Sequence, residues 1–173
     1  MVTKKSMWVL FGILIIAAWV LGSVAQAGAE TMKCKVAQTS TKDERMPVGD
    51  EQGHGLALNR MEGLAWCENG EIAKVRSDSI FDFMPGKGSQ AIGYTFYTFE
   101  DGATIVVRFQ RIMVTGQSGN LSAKTSSEII KGTGRFEGIK GTSSGTGKNF
   151  PPSKEEPGRA FSDITITYTL PPK

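Results

Sequence analysis

The sequence predicts an all-β, antiparallel domain, closed into a barrel or stacked as a sandwich. Three observations carry that prediction. Asn69-Gly70 and Asp101-Gly102 each lie between runs rich in Val, Ile, Thr, Tyr and Phe, as hairpin turns do. The closing run DITITYTL alternates strictly, with Ile164, Ile166, Tyr168 and Leu170 on one face and Asp163, Thr165, Thr167 and Thr169 on the other. After the first thirty residues no stretch carries a helical period, and short strands with regular turns remain.

The chain of 173 residues opens with Lys4 and Lys5, followed by the uncharged run Met7 to Val24. Small-residue sites follow at Ala25-Gln26-Ala27 and Ala27-Gly28-Ala29. Basic start, apolar middle and A-x-A end are the parts of a secretory signal over residues 1–29. The run is also about as long as the shortest bilayer-spanning helix, so an uncleaved anchor is the alternative. Export, periplasmic or secreted, is expected in the first case, and membrane attachment through this segment alone in the second. Residues 30–173 then form one domain of a size that builds a single core.

The formal charge of +3 includes Lys4 and Lys5, leaving +1 (3 − 2) for the rest. So balanced a domain lacks the clustered basic footprint of a nucleic-acid binder. Cys34 and Cys67 are the two cysteines. In an oxidising compartment an even count favours a disulfide, which on the chain-entropy model stabilises by roughly 3–4 kcal/mol. Two buried thiols are the other reading. A single histidine and two distant cysteines make no zinc site, so no metal is expected.

GLAWC and IAKVRS flank the first turn, and AIGYTFYTF and TIVVRFQRIMV the second. Both turns are expected to be tight two-residue turns with positive φ at both central positions. In the segment Ala91 to Phe99 aromatics fall on both faces, one for the interior and one for a partner subunit. Thr115 to Glu128 opens as a polar loop that contains the acceptor pattern Asn120-Leu121-Ser122, and Asn149 to Gly158 is a proline-rich loop before the closing strand.

The stretch KGTGRFEGIKGTSSGTGK, residues 131–148, raises the question of phosphate binding. A Walker loop would need glycine where Thr142 stands and a hydroxyl where Asn149 follows Gly147-Lys148. A dinucleotide fingerprint would need glycine at Glu137, and no helix follows to hold an anion. The glycines, spaced around Phe136 and Ile139, are expected to mark bends and close backbone approaches in a coiled sheet.

GTGRFEGIKG, Gly132 to Gly141, resembles a segment of plant allene oxide cyclases and the related dirigent barrels. Val48-Gly49-Asp50 resembles an early loop of that family and Tyr94-Thr95-Phe96-Tyr97 its aromatic strand, so the likeness runs from Val48 to Gly147. The resemblance implies an antiparallel eight-stranded barrel, often trimeric, with an apolar cavity and neither cofactor nor metal. The polar residues that assist cyclisation in the plant enzyme, a glutamate and an asparagine on the first strand, have no counterpart in MKCKVAQTS, Met32 to Ser40. No catalytic role is carried over from them.

Candidate functional residues follow from chemistry. His54 in Gln52-Gly53-His54-Gly55 could serve as acid or base at the mouth, against a plain loop histidine. Glu137 is the second catalytic candidate, against a role in bracing the glycine backbone. Arg108 and Arg111 lie on opposite faces of one strand, and one of them is expected to turn inward. A lone inward arginine suits a carboxylate, since its fork pairs two oxygens. Arg108 joins Tyr94, Phe96 and Trp66, with Phe83, as the expected ligand-binding set. The competing reading has the arginine outward and the aromatics in the core. Three functions remain open: a module that binds or shapes a small apolar, lipid- or phenolic-like ligand; an isomerase or cyclase of a lipid-derived substrate; and a structural envelope protein that forms a homotrimer through its aromatic outer face.

Overall fold

The structure is a computed structural model and describes residues 28–84, 86–116 and 121–172. All but the last two residues of the expected signal or anchor lie outside these residues, as does Asn120 of the glycosylation pattern. Eight strands follow one another: β1 Glu30–Pro47, β2 Gly55–Cys67, β3 Ile72–Met84, β4 Gly88–Phe99, β5 Thr104–Thr115, β6 Leu121–Thr133, β7 Lys140–Phe150 and β8 Arg159–Thr169. Each pairs antiparallel with its neighbour in sequence, and β8 closes on β1. The expected eight-stranded antiparallel barrel is what the chain forms. Closure leaves no open sheet edge, which removes the usual template for edge-to-edge aggregation.

The two expected hairpins form, with a different turn. Gly70 N–H donates to Cys67 O at 2.9 Å and Cys67 N–H to Glu71 O at 2.9 Å. The same pair of bonds recurs between Phe99, Gly102 and Ala103. Only Gly70 (φ +86°) and Gly102 (φ +81°) take positive φ, while Asn69 and Asp101 do not. These are three-residue turns ending in a glycine bulge, in place of the expected two-residue turns. Asn69 Oδ1 and Asp101 Oδ1 instead accept the backbone N–H two residues on, at 3.2 and 2.9 Å. The side chains that would have tolerated positive φ brace the turn from outside.

Alternation sorts each strand into an inner and an outer face. In β8 the expected inner set Ile164, Ile166 and Tyr168 is buried, with Leu170 packed against it just beyond the strand. Cys34 and Cys67 face each other across β1 and β2 and are bonded as a disulfide, as one of the two sequence readings expected. They belong to the larger apolar cluster, which includes Tyr97, Phe99, Ile105, Val107 and Ile166. Burying an aliphatic side chain such as Ile105 or Ile166 contributes about 1.5–3 kcal/mol.

The glycine stretch punctuates the sheet, as expected, by building the β6–β7 connection. A single 3-10 turn, Gly134–Phe136, drops Phe136 into the end of the barrel against Phe99 (ring centroids 5.1 Å) and Tyr168 (6.1 Å). At Gly132 a Cβ would run into the Phe136 carbonyl oxygen, so the close approach requires glycine. Arg135 covers the plug: it pairs with Glu71 and, at 3.2 Å, with Asp101, and lies over the rings of Phe99 and Phe136. This end of the barrel is sealed by side chains.

Candidate functional site

The other end is open. A second, smaller apolar cluster of Ala91, Phe109, Met113 and Ala123, with Phe81 and Leu121 against it, lines the barrel there. Above it lies a mainly apolar cavity of about 210 Å³, walled by Ala57 and Met61 of β2, Phe81 and Phe83 of β3, Met113 of β5, Phe150 at the end of β7, and Pro151 and Pro152 beyond it. Of the aromatics expected to line a cavity, Phe83 borders this one.

A bulge in β1 shapes this mouth. Ser40 pairs with Met61 and Lys42 with Arg60, so Thr41 is an extra residue. The even residues of β1 point inward up to Ser40; beyond the bulge, Asp43 and Arg45 line the cavity instead. They pair with each other, Arg45 Nη2 standing 2.8 Å from Asp43 Oδ2, and Arg45 lies 5.3 Å from the ring centroid of Phe83. Ser40 N–H donates to Gly158 O at 2.8 Å, which ties the β7–β8 connection to the bulge as one wall.

Asn59 fills the bulge. Its Nδ2 donates to Ser40 Oγ at 2.8 Å and Lys42 O at 3.1 Å. A carbonyl can only accept, so this contact fixes the amide orientation and leaves Oδ1 buried with no donor among the described residues. Asn149 repeats the pattern: its Nδ2 donates to Met113 Sδ at 3.2 Å and its Oδ1 has no donor among those residues. Both side chains line the cavity. Buried acceptors are paired in nearly all proteins, so two orphans at one cavity point to a donor from outside the chain.

Below the cavity a polar layer crosses the barrel. Gln38 Nε2 donates to Ser77 Oγ at 3.0 Å, and Ser77 bonds Thr95 at 2.9 Å. Arg111 joins this layer from β5, 8% exposed, its Nε donating to Thr125 Oγ1 at 2.9 Å. Burial pushes the Tyr97 hydroxyl, in the same layer, up to about 12 and lowers Arg111 from its ordinary value.

The expected site residues fall elsewhere. Arg111 is the inward arginine; Arg108 is exposed and pairs with Glu128 at 2.9 Å. Odd residues of β4 face inward, so Tyr94 (45% exposed) and Phe96 lie outside, the latter under Arg76. Trp66, 46% exposed, is outside β2 by the same alternation. Core packing took Tyr97 and Phe99 in place of those rings. Glu137 is exposed at the sealed end, where its backbone N–H closes the 3-10 turn on Gly134 O at 3.0 Å.

His54 stands at the open end, on the outer side of the rim. Its Nδ1 lies 2.6 Å from Asp50 Oδ1 and its Nε2 3.0 Å from Asp82 Oδ1. Bonds to Asp82 and then Asp50 raise the His54 pKa, and the bond from His54 lowers that of Asp50. Asp82 faces out between the inward Phe81 and Phe83, so this group does not reach the cavity. None of the catalytic candidates reaches it.

Asn59, Met61 and Asn149 were absent from the expected set. A signal existed: parity counted back from Cys67 puts Ala57, Asn59, Met61 and Ala65 on one inner face.

No protein-family model and no curated protein matches this chain. Among solved structures it is similar to two dirigent proteins. The pterocarpan synthase dirigent protein GePTS1 is 11% identical over 88% of this chain and 96% of that one, with a TM-score of 0.48. The pterocarpan synthase dirigent protein PsPTS1 is 12% identical over 83% and 97%, with a TM-score of 0.47. Both are dirigent proteins rather than allene oxide cyclases.

Proposed function

We propose that the chain is an exported barrel that binds a small, mainly apolar ligand bearing a hydroxyl or other donor in its open mouth. One observation carries the reading: the apolar cavity is lined by two asparagines whose buried carboxamide oxygens lack a donor. Apolar walls favour a ring or short chain, and the orphaned acceptors favour a phenol or alcohol over an ester or ether. The Asp43–Arg45 pair at the rim is already self-satisfied, so it adds charge without demanding an ionic ligand. The disulfide supports export, because such bonds persist in oxidising compartments.

Catalysis would need an acid and a base converging on the cavity. His54 and Glu137 lie away from it, so binding or shaping is the better supported role. Kinship with allene oxide cyclases and dirigent barrels is part of this proposal and rests on Gly132 to Gly141.

Titration of a naphthalene-type fluorescent probe into the full chain tests the reading. Saturable binding, displaced by a monocyclic phenol and abolished by Met61→Trp, is expected. No binding, or binding indifferent to Met61→Trp, would overturn it.

A second observation favours self-association. Leu58, Ile80 and Ile92 are exposed and lie in register on the outer face across β2, β3 and β4. We propose that this row packs against further copies of the chain. Native mass spectrometry should show an oligomer that Ile80→Glu dissociates; a monomer would remove the proposal.

A further inference from the structure

Arg111 is a guanidinium that cannot lose its proton in a protein, held inside a barrel. One edge is occupied by Thr125, and the Phe109 ring lies 5.1 Å from its carbon. Among the described residues no carboxylate forms an ion pair with it, and the bond from its Nε to Thr125 Oγ1 is the one hydrogen bond its side chain makes to them. A buried charge without a partner is among the costliest arrangements in a protein interior. Its charge is uncompensated by any side chain in the layer, since Tyr97 stays neutral until about pH 12.

Beside Arg111 is a separate cavity of about 20 Å³, bordered by Gln38, Thr95, Tyr97, Thr125 and Ser143. That volume is on the order of one small particle, a water or a monatomic ion. Its hydroxyls can supply donors. Thr125 Oγ1 already accepts from Arg111, which leaves its own hydrogen for a third partner. Arg111 and Met113 are successive inward residues of β5, so the small cavity lies one layer beneath the mouth.

We propose that this polar layer is a halide site, in which one chloride-sized anion neutralises Arg111 and accepts hydrogen bonds from the surrounding hydroxyls. Size and charge together select the ligand class. A carboxylate or phosphate is too large for the cavity, and a water fills it without compensating the charge. The site is independent of the mouth ligand and of the function proposed for it.

The test uses the full chain at constant ionic strength, in sodium chloride or in sodium gluconate, whose anion is too large to enter. Chloride tenfold above its dissociation constant should raise Tm by about 4 °C, with saturation. Arg111→Met should abolish the difference between the salts. Crystals grown in sodium bromide should show an anomalous peak beside Arg111, a readout that stands even if the variant fails to fold. Equal Tm in both salts, or bromide-grown crystals with no anomalous peak in the layer, would overturn the proposal in favour of water alone.

Discussion

His54 reaches from the β1–β2 connection to Asp82 on β3, its Nε2 3.0 Å from Oδ1, while Asp50 holds the opposite ring nitrogen at 2.6 Å. Two carboxylates on two ring nitrogens require both to carry protons, so the arrangement favours the imidazolium. The connection is thereby clasped to the outside of the barrel. Lys87 adds a second tie, 3.1 Å from Glu51 of the same connection.

The clasp makes stability depend on pH. The folded His54 pKa is raised, so its contribution is complete below about 6.5 and is lost as pH rises through the folded value. The Asp50 pKa is lowered, so its contribution is present above about 3.8 and is lost as pH falls through its folded value. Thermal melts should therefore be highest between those limits on account of this group, and Asp82→Asn should flatten the alkaline side. An NMR titration of His54 with its midpoint at or below 6.5 would refute the clasp.

Removing the disulfide by a Cys34→Ser, Cys67→Ser double substitution should cost roughly 3–4 kcal/mol, because the bond joins residues 33 apart in sequence. Unfolding free energies from denaturant titration of wild type with and without reductant should differ by the same amount. A midpoint indifferent to reductant would show that the bond contributes nothing.

Phe136 is 3% exposed and plugs the sealed end. Phe136→Ala should destabilise by about 3–5 kcal/mol through lost contacts and a residual cavity. Probe binding at the open mouth should survive below the new unfolding midpoint. Loss of binding in still-folded protein would mean that the two ends are coupled.

Arg108→Ala should change stability by less than about 1 kcal/mol, since its pair with Glu128 is solvent-exposed. Probe affinity should not change. A severalfold loss of affinity would place Arg108 at the ligand after all.

The sheet was legible because hairpin dipeptides and period-two alternation act locally. Asn69-Gly70 and Asp101-Gly102 turn the chain where expected, and Ile164, Ile166 and Tyr168 face inward where alternation puts them. The site was far less legible. Parity within one strand says which residues share a face and leaves open which face is inside; Arg108 and Arg111 were separated by it, and only closure chose Arg111. The same ambiguity put Tyr94, Phe96 and Trp66 in the expected lining.

By itself the sequence determined the class of fold, the hairpin positions, the exclusion of a phosphate loop and the pair of cysteines available for a bond. Tertiary structure alone decided the mouth. Thr41, an extra residue opposite β2, reverses the parity of β1, so Asp43 and Arg45 line a cavity that alternation from Cys34 would have placed them outside. A bulge is set by pairing with a partner strand, and barrel closure fixes which face is enclosed. Both depend on contacts distant in sequence, which no local pattern of residues encodes.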